Sequence, residues 1–204
     1  GDYIYIGSSD GKVYCLNKLT GSEVWRYEMV GYVLSSSPTI SGEYMYIGSG
    51  SKIHCLNKNT GEKVWEYEGG LYISSTSAIL GDNLYIVSYE GKVHCLNKNT
   101  GSKIWEYHEE GLGVLASPAI SGEYIYIGSY ESKICCTGKV MGTRFYCLNK
   151  NTGSKVWEYK PEDDFCSSPA ISGDYLYIGS YYGRINCLNK YTGKKEWEYE
   201  VGDR

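Results

Sequence analysis

The chain has 204 residues and a net charge of −4, from 24 acidic and 20 basic residues. No apolar run approaches the roughly 18–20 residues of a membrane-spanning helix, so we predict no membrane span in this segment. The acidic balance and the lack of a basic block argue against nucleic acid as a partner. Tyrosine (23) and glycine (26) are abundant and proline (4) is rare, which favours short strands joined by tight turns.

Five tryptophans mark an internal repeat. They lie 40, 40, 52 and 40 residues apart, and each ends the same phrase, which reads Ile-His-Cys-Leu-Asn-Lys-Asn-Thr-Gly-Glu-Lys-Val-Trp at residues 53–65. A period in the low forties is typical of the blades of a β-propeller. We therefore predict five repeats, at approximately residues 1–30, 31–70, 71–110, 111–162 and 163–204.

Each repeat is predicted to contain four strands, named A to D in chain order. In the second repeat, strand B is predicted at Tyr44–Ile47, strand C at Lys52–Leu56 and strand D at Lys63–Tyr67. The Asn-Lys-Asn-Thr-Gly segment at 57–61 supplies the Asn and Gly of the turn between strands C and D. Strand A of the third repeat is predicted at Ile73–Ile79, after a glycine-rich link from strand D.

The predicted fold is all-β, a β-propeller of four-stranded blades, with residues 1–204 as one domain. The first repeat opens at strand B, so four A strands stand against five each of B, C and D. Two arrangements follow: a five-bladed ring with one inner strand missing or replaced, which we favour, or a piece of a larger propeller. The missing initiator methionine predicts that the chain is a segment of a longer protein.

The phrase Gly-Ser-x-x-Gly-x-x-x-x-Leu-Asn-x-x-Thr-Gly-x-x-x-Trp resembles the tryptophan-docking repeat of pyrroloquinoline-quinone-type, or quinoprotein-like, propellers. The resemblance covers nearly the whole chain. It implies that each tryptophan packs flat on a C–D turn and ties neighbouring blades together. The implied docking residues are Trp25, Trp65, Trp105, Trp157 and Trp197, with turn partners Gly21, Gly61, Gly101, Gly153 and Gly193.

The resemblance implies either an enzyme or a non-enzymatic module. In quinoprotein dehydrogenases the quinone and a calcium ion sit in a larger ring, with an aspartate as base, whereas this chain has about half the needed length. We therefore predict no cofactor and a non-catalytic scaffold or recognition module of the non-enzymatic branch. The alternatives are a fragment of a quinone-dependent oxidoreductase, or a sensor or carbohydrate-binding domain of a surface protein.

The eight cysteines fall into two groups. Cys15, Cys55, Cys95, Cys147 and Cys187 share one repeat position, where we predict small buried hydrophobic side chains. Cys135 and Cys136 lie in an insertion in the fourth B–C hairpin, and Cys166 follows the next link between strands D and A. Because B–C turns and D–A links emerge on one face of a blade, we predict that Cys135 or Cys136 approaches Cys166, where a disulfide is one outcome.

No catalytic or metal-binding constellation stands out in the sequence. His54 and His94 occupy the repeat position that also holds Tyr14, Tyr146 and Asn186. No Cys-x-x-Cys or histidine pair has metal-ligand spacing. We therefore predict no catalytic residues and no metal.

Tyrosines at variable positions mark the candidate binding face. They follow strand B or lie in the D–A links, and the amphipathic ring of tyrosine suits recognition of a protein or a glycan. The predicted residues are Tyr32, Tyr72, Tyr89, Tyr130, Tyr181 and Tyr182. We predict a monomer. The family resemblance favours an extracytoplasmic or cell-surface location, while the many thiols leave the cytoplasm open.

Overall fold

The structure of the chain is a computed structural model, and it describes residues 1–29, 37–70, 72–73, 76–109, 112–113, 116–131, 142–163, 165, 167–180 and 182–201. No helix in this part of the chain is long and apolar enough to cross a membrane. The chain divides into two compact units, the first formed by Gly1–Tyr89 with Val93–Ile104 and the second by Glu90–Lys92 with Trp105–Arg204. The single domain predicted for residues 1–204 stays a prediction.

The first unit contains the first two sheets and most of the third. The first sheet pairs β1 (Tyr3–Ser8), β2 (Lys12–Asn17) and β3 (Glu23–Glu28) in that order. The second sheet pairs β4 (Thr39–Ser41), β5 (Tyr44–Ser49), β6 (Lys52–Asn57) and β7 (Lys63–Glu68). The third sheet pairs β8 (Ala78–Leu80), β9 (Asn83–Val87), β10 (Lys92–Asn97) and β11 (Lys103–His108). The chain passes from one unit to the other after Tyr89, after Lys92 at the start of β10, and after Ile104 within β11.

The second unit contains the fourth and fifth sheets. The fourth sheet pairs β13 (Ala119–Ser121), β14 (Tyr124–Glu131), β15 (Thr143–Asn149) and β16 (Lys155–Tyr159), and the short β12 (Leu112–Gly113) also pairs with β14. The fifth sheet pairs β17 (Ala170–Ser172), β18 (Tyr175–Gly179), β19 (Arg184–Asn189) and β20 (Lys195–Glu200).

The sheets confirm the predicted all-β class and its propeller-type repeat. Neighbouring strands pair antiparallel in chain order, and the described part of the first sheet has three strands because it begins at strand B. Strand A of the third repeat is shorter than predicted, since the prediction covered Ile73–Ile79 and β8 begins at Ala78. Ile73 instead donates its N–H to Gly50 O in the preceding B–C turn, at 2.9 Å.

One rung of side chains recurs across strands B, C and D. In the second sheet, Tyr46 lies opposite Cys55, which lies opposite Trp65. The pairing slips by one residue after Cys55, so that Leu56 faces Lys63 and the intervening Val64 stays exposed. A slip of this kind is a β-bulge, which sharpens the local twist of a strand.

The hydrophobic core lies between neighbouring sheets. In the first unit, Trp25 and Met29 of the first repeat pack with Met45 and Ile47 of the second. A cluster of the same design joins the second repeat to the third, and another joins the fourth to the fifth. In these three pairs, one sheet therefore buries a face against the next sheet in the chain, which orients the turns that carry the candidate sites.

Candidate functional site

Each C–D turn is closed by its first asparagine. In the second repeat, Asn57 Oδ1 accepts hydrogen bonds from the backbone N–H groups of Asn59 at 2.9 Å and Thr60 at 3.2 Å. Gly61 returns its N–H to Asn57 O at 2.9 Å and has a φ of 75°. Asparagine supplies this local turn and glycine adopts the left-handed conformation without a steric cost, which explains why both recur in every copy.

The tryptophan of one repeat lies on the C–D turn of the next. The Trp25 indole donates from Nε1 to Lys58 O at 3.1 Å. The same hydrogen bond recurs at 2.9–3.0 Å in three further pairs, Trp65 with Lys98, Trp105 with Lys150, and Trp157 with Lys190. The indole thus gains a buried contact and a partner for its only donor.

Glycine in the turn makes room for the indole. A Cβ on Gly61 would lie 2.7 Å from Cε3 of Trp25. Equivalent positions at 2.6–2.7 Å from the facing indole occur at Gly101 under Trp65, Gly153 under Trp105 and Gly193 under Trp157. Any side chain at Gly61 would have to displace the ring.

The first glycine and the last tryptophan of the series differ from the others. No described atom lies within 4 Å of the Cβ position of Gly21. Trp197 is 47% exposed, whereas Trp25 and Trp105 are 9% exposed. The docking role of all five tryptophans stays a prediction, for which the four packed pairs supply the geometry.

We call the contact of a tryptophan with the glycine and the lysine carbonyl of the next C–D turn a dock. Sequence reasoning missed the lysine of this contact. Lys58 accepts from Trp25 through its carbonyl, and its ammonium donates to Gly42 O, in the turn between strands A and B of the same repeat, at 2.5 Å. The same lysine-to-carbonyl bond recurs, at 2.6–2.9 Å, from Lys18 to Gly1, Lys98 to Gly81, Lys150 to Gly122 and Lys190 to Gly173. The fivefold repetition of Lys after Leu-Asn was the available signal.

The five repeat-position cysteines are buried free thiols, as the sequence predicted. Burial raises the pKa of each thiol, to about 12 for Cys55 and Cys147 and to about 11 for Cys95. Only the thiolate is strongly nucleophilic, so these side chains act as packing groups at neutral pH. Cys135, Cys136 and Cys166 lie outside the described residues, and their predicted proximity is not tested.

The two buried histidines have different surroundings. His94 Nε2 lies 2.8 Å from Gly69 O, and its Nδ1 lies 3.3 Å from Tyr67 Oη. Neither ring nitrogen of His54 has a hydrogen-bond partner in the described part of the chain, and its Nδ1 lies 4.0 Å from Glu66 Oε2. Burial lowers the pKa of His54 to about 4, so this imidazole is neutral at pH 7.

Four of the five described aspartates are engaged in ion pairs and are not grouped as the calcium site that the resemblance associates with a quinone. Asp2, Asp82 and Asp174 pair with the turn lysines, and Asp163 pairs with Arg184 at 3.1 Å. Across the residues described, no three His, Cys, Asp or Glu side chains are grouped as a metal site. The predictions of no metal, no cofactor and no catalytic residue remain predictions.

Two of the predicted surface tyrosines come together. Tyr72 lies in the D–A link after the second repeat, and Tyr89 lies in the B–C turn of the third. The N–H of Tyr89 donates to Tyr72 O at 2.8 Å, and the ring centroids lie 6.5 Å apart in an edge-to-face arrangement. The two residues are 49% and 44% exposed. We call these two residues the tyrosine pair.

The backbone of Tyr72 is in an unfavourable conformation. Its φ of 48° is the only positive value among the non-glycine residues that the structure describes. A bulky residue in the left-handed region costs free energy, and such strain concentrates at functional sites. The strain therefore singles out this tyrosine among the exposed rings.

Of the other four predicted tyrosines, the structure describes the exposure of one and the backbone pairing of another. Tyr182 is 55% exposed. The backbone of Tyr130 pairs with Gly113 and Thr143. Tyr32 and Tyr181 lie outside the described residues. Tyr72 and Tyr89 are therefore the two residues of the predicted binding face that the structure shows in contact with each other.

A family model described as outer membrane protein assembly factor BamB matches residues 1–145 and 142–204. The chain belongs to this family. The match confirms the predicted resemblance to quinoprotein-type repeats. No curated protein sequence matches the chain.

Solved structures with a similar fold include both an assembly factor and dehydrogenases. BamB from Moraxella catarrhalis has a TM-score of 0.81 and 20% identity, over 98% of this chain and 62% of that chain. A europium-containing methanol dehydrogenase has a TM-score of 0.81 and 14% identity, over 100% of this chain and 50% of that chain. The quinohemoprotein alcohol dehydrogenase from Comamonas testosteroni has a TM-score of 0.68 and 16% identity, over 81% and 34%.

These identities are low, so the structural matches establish the fold alone. The chain spans less than two thirds of the length of each of these three proteins. Because one fold carries both kinds of protein, function has to be argued from the surface and its side chains.

Proposed function

We propose that the chain is a non-catalytic recognition module that binds a segment of another protein through the tyrosine pair. Its repeated sheets act as the scaffold, and its B–C turns and D–A links provide the binding face. The BamB-like fold supports a protein-interaction module in general, and the tyrosine pair is the observation that carries the specific site.

The geometry of the pair suits a protein ligand. Two half-exposed rings, set edge to face, offer large contact surfaces at a low cost in conformational entropy. The backbone hydrogen bond from Tyr89 to Tyr72 and the B–C turn hold the two residues in place, so little ordering is needed when a ligand binds. Tyrosine is also among the residues most enriched at the centres of protein interfaces.

The family supports a protein over a glycan. Its description names an outer membrane protein assembly factor, whose task concerns other proteins. The buried thiols and the lysine-paired aspartates offer no alternative reactive centre within the described residues.

The proposal is tested with a phage-displayed library of random linear peptides selected on the immobilised chain. The best peptide is then synthesised and its Kd is measured by fluorescence anisotropy. Truncation of a central interface tyrosine costs about 1–2 kcal/mol, so we expect Tyr72→Ala or Tyr89→Ala to weaken binding by about 5–30-fold.

The matched control is Tyr191→Ala. Tyr191 is as exposed as the tyrosine pair but lies in a C–D turn, where its hydroxyl bonds Asp174. We expect no change in peptide affinity from this variant. Equal losses from all three variants, or selected peptides that ignore Tyr72 and Tyr89, would contradict the proposed site. Binding to a glycan array with no peptide selected would contradict the proposed partner class.

A further inference from the structure

The part of the D–A link that carries Tyr72 is fastened to the preceding B–C turn on both sides of this residue. Gly69 donates its N–H to Ser51 O at 2.8 Å, and Ile73 donates to Gly50 O at 2.9 Å. Ile73 is 4% exposed and packs in the cluster that joins the second repeat to the third. Gly69 and Ile73 are therefore fixed on either side of Tyr72, which is itself half exposed.

His94 of β10 adds an attachment from the next repeat. This residue is 2% exposed, and its Nε2 lies 2.8 Å from Gly69 O. A carbonyl oxygen can only accept a hydrogen bond, so Nε2 carries the proton and donates to it. In the neutral ring, Nδ1 is then the acceptor for the Tyr67 hydroxyl, at 3.3 Å. The imidazole thus joins strand D of the second repeat, and the link that follows it, to strand C of the third repeat.

The first interface between repeats has no such bond among the described residues. His54 occupies the position of His94, and Met29 occupies the position of Gly69. Met29 donates its N–H to Gly11 O at 2.8 Å, as Gly69 does in its own B–C turn, but neither ring nitrogen of His54 has a hydrogen-bond partner. The bond from a histidine to the link is therefore found at the interface that also carries the tyrosine pair.

We propose that His94 is a positioning residue for the tyrosine pair, because it holds the Gly69 carbonyl and thereby keeps Tyr72 in its left-handed conformation against Tyr89. A strained backbone persists only where its surroundings constrain it. The hydrogen bonds of Gly69 and Ile73 supply that constraint, and the bond from His94 is the contribution of a side chain. The inference rests on the proposed function, since the pair matters to recognition only if it binds a ligand.

The first measurement reports on the tyrosine pair without any ligand. The N–H of Tyr89 is bonded to Tyr72 O, so its hydrogen exchange, followed by NMR in a chain with isotope-labelled tyrosine, shows how often the pair opens. His94→Phe keeps an aromatic ring but cannot donate to Gly69 O. Loss of one hydrogen bond corresponds to about 10-fold in an opening equilibrium, so we expect Tyr89 to exchange about 10-fold faster.

Two further variants separate positioning from a general loss of stability. The amide of His94→Gln can donate to the same carbonyl and should return Tyr89 exchange to within about 3-fold of the unchanged chain. An amide already occupies this repeat position in the fifth sheet, where Asn186 accepts from the Tyr159 hydroxyl at 3.4 Å. His54→Phe makes the same substitution at the first interface and should leave Tyr89 exchange unchanged.

The second measurement is the affinity for the selected peptide. We expect His94→Phe to raise its Kd by about 5–10-fold, His94→Gln to keep it within about 3-fold, and His54→Phe to leave it unchanged. Tyr89 exchange that is the same in His94→Phe as in the unchanged chain, or that His94→Gln fails to restore, would overturn the positioning role. Unchanged peptide affinity in His94→Phe, where Tyr72→Ala does weaken binding, would also overturn it. Faster Tyr89 exchange together with a peptide affinity that ignores Tyr72 would support the positioning role and contradict the proposed function.

Discussion

Two neighbouring interfaces in the first unit are built from the same repeat positions and still differ. At both, a tryptophan donates to a lysine carbonyl and lies on a glycine, Trp25 on Gly61 and Trp65 on Gly101. The middle of the interface differs, because His94 has partners for both ring nitrogens and His54 has none among the described residues.

The comparison shows which contacts the repeat fixes and which it leaves variable. The dock depends on backbone atoms and on a residue that must lack a side chain, so it is the same wherever the phrase occurs. The middle position depends on which carbonyl and hydroxyl groups the neighbouring repeat happens to offer. Where the D–A link meets the B–C turn, the second interface also contains the tyrosine pair, through which we propose that the module binds its partner.

The largest effect is expected from filling a dock. Gly61→Ala adds a methyl group 2.7 Å from the Trp25 ring and forces alanine into the left-handed region. Strain of about 1–2 kcal/mol and overpacking of about 1–3 kcal/mol should lower the free energy of unfolding by about 4 kcal/mol. Guanidinium denaturation followed by tryptophan fluorescence measures the change.

The control for this prediction is Gly42→Ala in the same sheet. Gly42 has a similar φ but open space around it, so only the strain of about 1–2 kcal/mol applies. If both variants lost the same stability, the indole would not be what excludes a side chain at Gly61.

Much of this framework could be predicted from the sequence, since the phrase from Cys to Trp repeats with little change. The tryptophan spacing gave the sheets, and Thr-Gly before each tryptophan gave the turn. The difference between His54 and His94 could not be predicted, because both follow the same pattern and the distinction lies in where the Gly69 carbonyl and the Tyr67 hydroxyl are placed. The short β8 was missed for a similar reason, because Ile73 is drawn to Gly50 by a backbone hydrogen bond.

A smaller effect, of about 3 kcal/mol, is expected from the protonation of His54. Its folded-state pKa of about 4 lies below the ordinary histidine value of 6.5, so the unfolded chain takes up a proton first as the pH falls. The stabilisation is complete above pH 6.5 and is lost as the pH falls towards 4, by about 3 kcal/mol. Denaturation at a series of pH values should show this slope, and His54→Asn should flatten it.

The charged groups around His54 do not reverse the direction of its pKa shift. Glu66 favours the protonated ring, while Lys52 and Lys63 oppose it, and burial is the largest cause of the shift. His94→Asn is the matched variant, because it removes two hydrogen bonds yet keeps His54. It should lower stability by about 1–3 kcal/mol at every pH and leave the slope unchanged. If the pH dependence of stability disappeared in His94→Asn, the titrating group would be His94, and the prediction for His54 would be wrong.

The smallest effect is expected at the tyrosine pair, where the first interface has no described counterpart. Tyr72→Gly and Tyr89→Gly both remove the ring contact and add a flexible residue, but only the first relieves the positive φ of 48°. Tyr72→Gly should therefore be more stable than Tyr89→Gly by about 1 kcal/mol in thermal or chemical denaturation. Both variants should weaken peptide binding, as the alanine variants do. Equal stability of the two variants would mean that the positive φ of Tyr72 carries no strain. Backbone strain would then no longer distinguish Tyr72 as a recognition residue.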